Sequence, residues 1–217
     1  MSSDTLSSER AGHDAPVAGI GRQSDKRAAV EADVLRATEA LLREGASYAE
    51  LNVERIATRA GISRTAFYFY FRDKRELLMR LTEHVADALY TKADAFFTHE
   101  GDRTEEIRAA LGSIAAVYRE HWPLLRAIVE VSTYDEQIAK VWRALLQRFA
   151  DATTLRVERE REDGQAADID VAATTFALVW MTERTCYQHL VQGREDADAL
   201  VDAMTGIWVR SLYGARA

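Results

Sequence analysis

The spacing of the apolar residues most constrains the fold of this chain. From Val30 to Leu212 they recur at three- and four-residue intervals, which places them on one side of successive helices. Strand-like alternation is absent, and two prolines and eleven glycines are few for 217 residues. The pattern predicts an all-α protein of about nine helices and argues against a turn-rich sandwich or barrel.

Composition narrows the class of protein further. The longest apolar run, Phe176 to Met181, is far shorter than the roughly 18 residues that span a bilayer. The single cysteine, Cys186, excludes an intrachain disulfide. Residues 1–21 are polar and lack the apolar core of a signal peptide. We therefore expect a soluble, cytoplasmic protein with no membrane partner.

The net charge of −7 conceals an uneven distribution. Residues 22–75 carry a net charge of +3, whereas residues 76–217 carry −8. Attraction to phosphate depends on the charge of the face presented, so the basic part can bind a polyanion while the acidic part stays away from it. The alternative is a solvated helix surface on which basic residues cluster by chance.

Residues 24–72 predict three short helices joined by a glycine turn. Ser24, Asn52 and Ser63 are suitable N-caps, and Gly61 is suited to end the second helix. Three short helices with such a turn are typical of a helix-turn-helix domain.

The residues on either side of this segment differ in character. Residues 1–23 lack periodicity and are expected to form a disordered arm. Residues 73–217 predict larger helices, the first opened by Asp73 and Glu76 as a capping box. The later helices are expected after an N-cap at Thr104, after Pro123, and over 135–163, 168–191 and 197–213.

The third predicted helix contains five consecutive aromatic residues, Phe67 to Phe71. Phe67 and Phe71 are four residues apart and share the face expected to meet the core. Phe69 faces away from the core, and the two tyrosines lie on the flanks of the helix. Tyrosine hydroxyls can donate to phosphate, and Arg64 near the helix start can reach base edges in a major groove. Lys74 lies beside the next helix N-terminus, which also favours phosphate. The alternative is that all five aromatics close a small core.

The run from Ile56 to Leu78 resembles the N-terminal signature of TetR-family transcriptional regulators. The glycine turn, the aromatic helix and a Lys-x-x-Leu-Leu motif follow in the order typical of that family. Three segments resemble the EthR-type branch of this family: the aromatic run Phe67 to Phe71, the segment Thr182 to Thr185, and the ending Ile207 to Gly214. The resemblance implies an N-terminal DNA-binding domain and a C-terminal helical ligand-binding and dimerisation domain. It also implies a repressor without a cofactor, bound as a homodimer to a pseudo-palindromic double-stranded operator and released by a hydrophobic effector.

The resemblance also implies which residues contact DNA. The first of these residues is Asn52, before the second helix. The others lie in or next to the third helix: Ser63, Arg64, Thr65, Tyr68, Phe69, Tyr70 and Lys74. Many relatives have His where this chain has Tyr70, which changes the geometry expected for that phosphate contact. Three basic residues resemble an arm that some members lay along DNA, with solvated disorder as the alternative: Arg22, Lys26 and Arg27.

A set of apolar residues in the C-terminal helices can line an elongated cavity. They are Ile107, Leu111, Ile114, Tyr118, Trp142, Leu146, Phe149, Val179, Thr182, Tyr187 and Trp208. Periodicity alone is more typical of an ordinary core, whereas the resemblance favours a hydrophobic ligand channel. The resemblance further implies that the helices near 168–191 and 197–213 form the dimer interface.

The principal alternative is a helical small-molecule-binding or enzyme domain whose basic helix is not a specific DNA reader. The five histidines are scattered without metal-ligand spacing, and neither a phosphate-binding loop nor a GxSxG motif is present. Glu183 and Arg184 are interpreted as a salt bridge or surface pair rather than a buried acid, and Cys186 as a core residue. We therefore expect no enzymatic activity and no metal.

Overall fold

The computed structural model describes residues 18–98, 101–193 and 197–214, and every regular element in these ranges is helical. This confirms the all-α prediction. The helices are α1 (Ala18–Arg43), α2 (Val53–Arg59), α3 (Arg64–Tyr70), α4 (Lys74–Thr98), α5 (Arg103–Glu120), α6 (Trp122–Ser132), α7 (Glu136–Glu162), α8 (Val171–Cys186) and α9 (Asp198–Tyr213). A π-helical segment, Tyr187–Gly193, continues α8.

Two predicted N-caps fix the starts of the short helices. The Asn52 side chain accepts from the Arg55 N–H at 2.8 Å, and the Ser63 hydroxyl oxygen accepts from the Ala66 N–H at 3.0 Å. Each bond satisfies an amide that has no partner within its helix. The short α2 and α3 are therefore held by local side-chain chemistry as well as by packing.

A capping box starts α4, as the sequence predicts. Asp73 accepts from the Glu76 N–H at 2.8 Å, and the Glu76 carboxylate accepts in return from the Arg72 N–H at 2.9 Å. The return bond reaches Arg72 rather than Asp73, one residue before the usual partner. The box ends the chain segment that leaves α3 and sets the direction of α4.

Two predicted helix starts are wrong. Helix α1 begins at Ala18, so Ser24 lies inside it, and residues 1–17 of the expected arm are outside the described residues. Helix α5 is capped by Asp102, which accepts from the Glu105 N–H at 2.9 Å, and not by Thr104. Both errors have one cause, since a Ser or Thr that suits an N-cap is also tolerated within a helix.

The buried core is continuous from Val34 in α1 to Leu212 in α9. Helix α4 packs on α5 and α7, while α5 packs on α9 and α7 packs on α8. Because α4 begins directly after α3 and then enters the C-terminal bundle, it physically links the two predicted domains. The boundary after residue 72 remains a prediction. No helix in the described ranges combines the length and apolarity of a membrane span.

Candidate nucleic-acid interface and ligand cavity

The turn between α2 and α3 fixes their relative orientation through the backbone. Gly61 has a φ of 72°, a left-handed conformation that residues with a Cβ rarely adopt. The Ile62 N–H donates to the Ala57 carbonyl at 3.0 Å, which closes the end of α2. Helix α3 therefore leaves the turn in a defined direction.

Helix α3 divides its aromatic side chains between core and surface. Phe67 and Phe71 are buried, with ring centroids 5.3 Å apart. Tyr68 is 46% exposed and Phe69 is 69% exposed, on a helix of seven residues. The alternative in which all five aromatics close the core is therefore wrong. Large exposed aromatics clustered on one short helix are typical of a binding surface.

Polar side chains surround the exposed aromatics. Ser63, Arg64 and Thr65 at the start of α3 are exposed, as is Asn52 before α2. The Arg64 guanidinium lies 5.9 Å from the ring centroid of Tyr68, within the range of a cation–π contact. The structure thus brings donors, a cation and aromatic rings together on one surface.

Arg27 joins this surface from α1. Its guanidinium lies 6.0 Å from the ring centroid of Phe69 and 5.7 Å from that of Tyr70, which is half-buried. Its Nε also donates to Glu31 at 2.8 Å. The sequence assigns Arg27, with positions 22 and 26, to an arm, whereas all three lie within α1.

Lys74 is held by the backbone of the loop before α2. Its ammonium donates to the carbonyls of Tyr48 and Leu51, each at 2.7 Å, and of Ala49 at 3.1 Å. It also lies 5.0 Å from the Tyr48 ring centroid. Burial lowers the pKa of Lys74. Lys74 therefore has a structural role that its position in the family motif does not disclose.

A small cavity of about 60 Å³ lies among the C-terminal helices and α4. Of the eleven residues predicted to line a ligand channel, nine line this cavity: Ile107, Leu111, Ile114, Tyr118, Leu146, Phe149, Val179, Thr182 and Trp208. Their side chains converge because helical periodicity places them on the inner faces of α5, α7, α8 and α9.

The other two predicted residues are buried but lie outside the cavity lining. They are Trp142 and Tyr187. Six further residues line the cavity without having been predicted: Leu89, Ala93, Ala110, Leu145, Thr153 and Glu183. Periodicity identifies the inner face of α4, but it cannot say that this face borders a cavity. The sequence signal for Glu183 was its position within an apolar helix.

Thr182 and Glu183 are the two polar residues of α8 at the cavity, and they differ in their hydrogen bonding. The Thr182 hydroxyl accepts from the Trp208 indole N–H at 2.9 Å. The predicted salt bridge is present, with Arg184 Nε 3.6 Å from Glu183 Oε2. Glu183 is 3% exposed, so the expectation that it is not a buried acid is wrong. Burial raises the pKa of Glu183, while Arg184 and an interaction with the Trp142 indole oppose that shift.

Polar contacts connect the N-terminal helices to the C-terminal bundle. His121 Nδ1 lies 2.9 Å from the Glu39 carboxylate of α1, and this hydrogen bond raises the pKa of His121. Arg43 of α1 donates to the Glu120 carbonyl at 2.8 Å. Arg75 of α4 donates to Asp135 at 2.6 Å. The position of the α3 surface is therefore tied to the starts of α6 and α7.

Apolar side chains are exposed on the last two helices. Phe176 of α8 is 47% exposed and Ile207 of α9 is 39% exposed. Trp180 is partly buried, and its ring centroid is 5.9 Å from that of Phe176. Such a surface on the predicted dimerisation helices is typical of a protein–protein contact.

Comparison with known proteins places both regions in described families. Residues 34–81 match the model of bacterial regulatory proteins of the tetR family, and residues 107–214 match that of the C-terminal domain of the transcriptional regulator EthR. The HTH-type transcriptional regulator EthR of Mycolicibacterium smegmatis is 31% identical over 192 residues, which cover 85% of this chain and 86% of that protein.

EthR of Mycobacterium tuberculosis is 29% identical over 191 residues, which cover 85% of this chain and 87% of that protein. Among solved structures, SmeT, the repressor of the Stenotrophomonas maltophilia multidrug efflux pump SmeDEF, has the same fold. It superposes with a TM-score of 0.69 at 20% identity and covers 86% of this chain and 91% of SmeT. The chain therefore belongs to the TetR family of transcriptional regulators, with a C-terminal domain of the EthR type, and is a ligand-responsive DNA-binding regulator rather than an enzyme.

Proposed function

We propose that this regulator is a cytoplasmic repressor that binds a pseudo-palindromic operator as a homodimer and is released by a hydrophobic small molecule. The observation that carries the proposal is the surface of α3, where Tyr68 and Phe69 are exposed beside Arg64. A helix of this size enters a major groove, and these residue types bind phosphates and base edges.

The proposed DNA contacts are those implied by the family resemblance: Asn52, Ser63, Arg64, Thr65, Tyr68, Phe69, Tyr70 and Lys74. Arg64 is proposed to bind a guanine edge, and Tyr68 a phosphate. Lys74 contacts a phosphate beside the α4 N-terminus by releasing one of the three backbone carbonyls to which its ammonium donates. Arg27 adds a cation next to Phe69.

The proposed dimer uses the helices near 168–191 and 197–213. The exposure of Phe176 and Ile207 supports this surface, because burial between two copies removes their apolar area from water. A twofold axis then presents two copies of α3 to successive major grooves, about 34–36 Å apart.

The proposed effector enters the cavity between α4, α5, α7, α8 and α9. At about 60 Å³ the cavity is smaller than the roughly 300–1,000 Å³ of a typical ligand site, so an effector must part its walls. Leu89 and Ala93 of α4 form part of the wall, and α4 begins beside α3. Widening the cavity therefore shifts the spacing of the two recognition helices, and the effector acts by favouring the wider state.

Fluorescence anisotropy with the DNA upstream of the protein's own gene tests the DNA-binding proposal. We expect tight binding that survives unrelated competitor DNA and weakens with salt according to the number of phosphates contacted. Binding that is equal for every DNA would instead favour the alternative of a helical domain whose basic helix is not a specific reader.

A matched pair of aromatic substitutions identifies the surface responsible. Tyr68→Ala in α3 is expected to weaken binding to all DNA, whereas Tyr134→Ala, at a residue 68% exposed beyond α6, leaves it unchanged. Arg64→Ala should cost about 1–3 kcal/mol of operator binding and relax the sequence preference at one position. Equal affinity of the Tyr68→Ala and Tyr134→Ala proteins would remove α3 from the interface.

A further inference from the structure

Within the described residues, Glu183 is a buried carboxylate without a hydrogen-bonding partner, at the wall of a mainly apolar cavity. Its side chain is 1% exposed, and neither Oε1 nor Oε2 accepts a hydrogen bond from a donor in the described part of the chain. Buried polar groups are usually satisfied, and an unsatisfied charged one is costly. A carboxylate in this state is suited to a partner that arrives from outside the chain.

The described neighbours of Glu183 compensate its charge only in part. Arg184 Nε lies 3.6 Å from Oε2, but the Arg184 side chain is 54% exposed. The Trp142 indole also favours the ionised carboxylate, although neither of its oxygens has a hydrogen-bonding partner in the described residues. On the cavity side the lining is mainly apolar, and the Thr182 hydroxyl oxygen already accepts from Trp208.

We propose that the effector is an apolar molecule carrying a basic nitrogen, and that its ammonium group donates to the Glu183 carboxylate. This inference rests on the proposed function, because it names the class of ligand for the same cavity. An ammonium satisfies the charge and the hydrogen-bonding capacity of the carboxylate together. The apolar part of the effector lies against Leu111, Val179 and Phe149.

Other ligand classes fit the wall less well. A carboxylate-bearing ligand would place a second negative charge beside Glu183, and like charges in an apolar site repel strongly. A hydrocarbon or ester without a donor would leave both oxygens unsatisfied while excluding any water from them. A neutral alcohol can donate once, without charge complementarity. The expected order of affinity is therefore amine, then alcohol, then carboxylate.

Three probes with the same chain test this order: octylamine, 1-octanol and octanoate. Their binding to the full-length protein is measured by isothermal titration calorimetry in the absence of DNA. We expect octylamine to bind about ten- to a hundredfold more tightly than 1-octanol, the ratio expected for a charge-assisted hydrogen bond. No binding of octylamine, or octanoate binding as tightly as the amine, overturns the proposal.

Two isosteric variants identify the residue responsible. Glu183→Gln should abolish the preference for octylamine over 1-octanol. Thr205→Val changes a buried threonine of α9 outside the cavity lining, whose hydroxyl is already bonded to the Val201 carbonyl, and should preserve that preference. A Glu183→Gln protein that retains the preference would show that the amine binds elsewhere.

The pH dependence of binding by the wild-type protein tests the proposal without a substitution. Octylamine affinity should fall as Glu183 is protonated, at a pH above the usual range of a glutamate, while 1-octanol affinity stays constant. The other titratable groups near the carboxylate are Tyr118 on α5 and Arg184 and Cys186 on α8. Burial raises the pKa of Tyr118 well above its ordinary value and that of Cys186 to about 12, so neither changes charge in this range. An octylamine affinity that is constant with pH contradicts the proposal.

The proposed function fails by different observations. Selectivity for the amine is measured without DNA. If the protein bound octylamine selectively but stayed bound to its operator, the Glu183 proposal would stand and the proposed release from DNA would be overturned. If all three probes released the protein from its operator equally, the proposed function would stand and only the role of Glu183 would be overturned.

Discussion

A buried charge without a hydrogen bond lowers stability, so Glu183 is expected to reduce the stability of the free protein. Its pKa is raised by burial, which means that the folded state binds this proton more tightly than the unfolded state does. Glu183→Gln should therefore raise the free energy of unfolding at neutral pH by about 1 kcal/mol, and the gain should disappear as the pH falls to the unfolded value of the carboxyl. Urea unfolding at several pH values measures this difference.

The control for this prediction is Glu83→Gln on the exposed surface of α4. It should leave the free energy of unfolding at neutral pH unchanged. A stability of Glu183→Gln below that of the wild type at neutral pH would mean that the carboxylate has a partner in solution.

Lys74 combines the DNA-binding role implied by its sequence motif with a structural role in holding the loop before α2. Its ammonium is bonded to three carbonyls of residues 48–51, and these bonds are assisted by charge. Lys74→Met should therefore lower the free energy of unfolding by about 1–3 kcal/mol as well as weaken DNA binding. Arg72→Met, at a neighbouring side chain that is 78% exposed, should leave stability unchanged in the same denaturation experiment. Unchanged stability of Lys74→Met would assign the residue to phosphate binding alone.

At the scale of the helices, local sequence patterns predict N-caps and the buried face of α3, but not which face of α8 points outward. The N-caps at Asn52 and Ser63 were predictable because a capping bond joins residues two or three apart. The buried face of α3 was predictable because its period is local. The outward face of α8 was not, since a helix that is apolar nearly all round gives no sign of which side meets the bundle. For that reason the sequence predicts the salt bridge of Glu183 with Arg184 but not the burial of its carboxylate.

The cavity shows the same limit over longer distances. Nine residues that the sequence assigns to a channel line this cavity, all of them on α5, α7, α8 and α9, whereas the contribution of α4 through Leu89 and Ala93 was missed. Which helices surround a space depends on their crossing angles, which no local pattern determines. The bond from Lys74 to the loop before α2 is non-local in the same way.

The contact between α1 and α6 should make stability depend on pH near neutrality. Its hydrogen bond to Glu39 raises the pKa of His121 despite burial, so the folded state binds this proton more tightly. The stabilisation is fully present below the unfolded pKa of histidine and is lost as the pH rises through the higher folded value. His121→Gln should therefore reduce the free energy of unfolding at mildly acidic pH and have little effect at alkaline pH.

Chemical denaturation across this range measures the effect, and Glu39→Gln provides a second variant. Burial alone would raise the pKa of Glu39, but His121 and Arg43 together lower it, so its carboxylate is ionised at the mildly acidic pH at which His121 becomes charged. Both variants should lose the same pH dependence. A wild-type stability that is constant across the pKa of His121 would contradict the pairing.

The whole molecule is proposed to act as a dimer, and its exposed apolar residues allow a selective test. Phe176→Arg places a charge on the predicted interface of α8 and should produce a monomer with operator affinity reduced by about a hundredfold or more, because the second half-site no longer adds to binding. Tyr134→Arg alters a residue beyond α6 that is 68% exposed and belongs to neither α8 nor α9. Sedimentation equilibrium should show a monomer for the first variant and a dimer for the second, and the reverse result would move the interface away from α8.

Regulation of the whole molecule requires that the narrow and wide states of the cavity differ in their affinity for the effector. Ala110→Leu on α5 fills the space of about 60 Å³ and should stabilise the narrow state by about 1 kcal/mol, with operator affinity preserved. The thermal stabilisation caused by 1-octanol should then be lost. Ala115→Leu changes a residue of the same helix that is buried outside the cavity, so it should overpack the core and lower the free energy of unfolding by about 1–3 kcal/mol. If Ala110→Leu destabilised the protein as much as Ala115→Leu, the cavity would not be available in solution, and the effector would have to bind elsewhere.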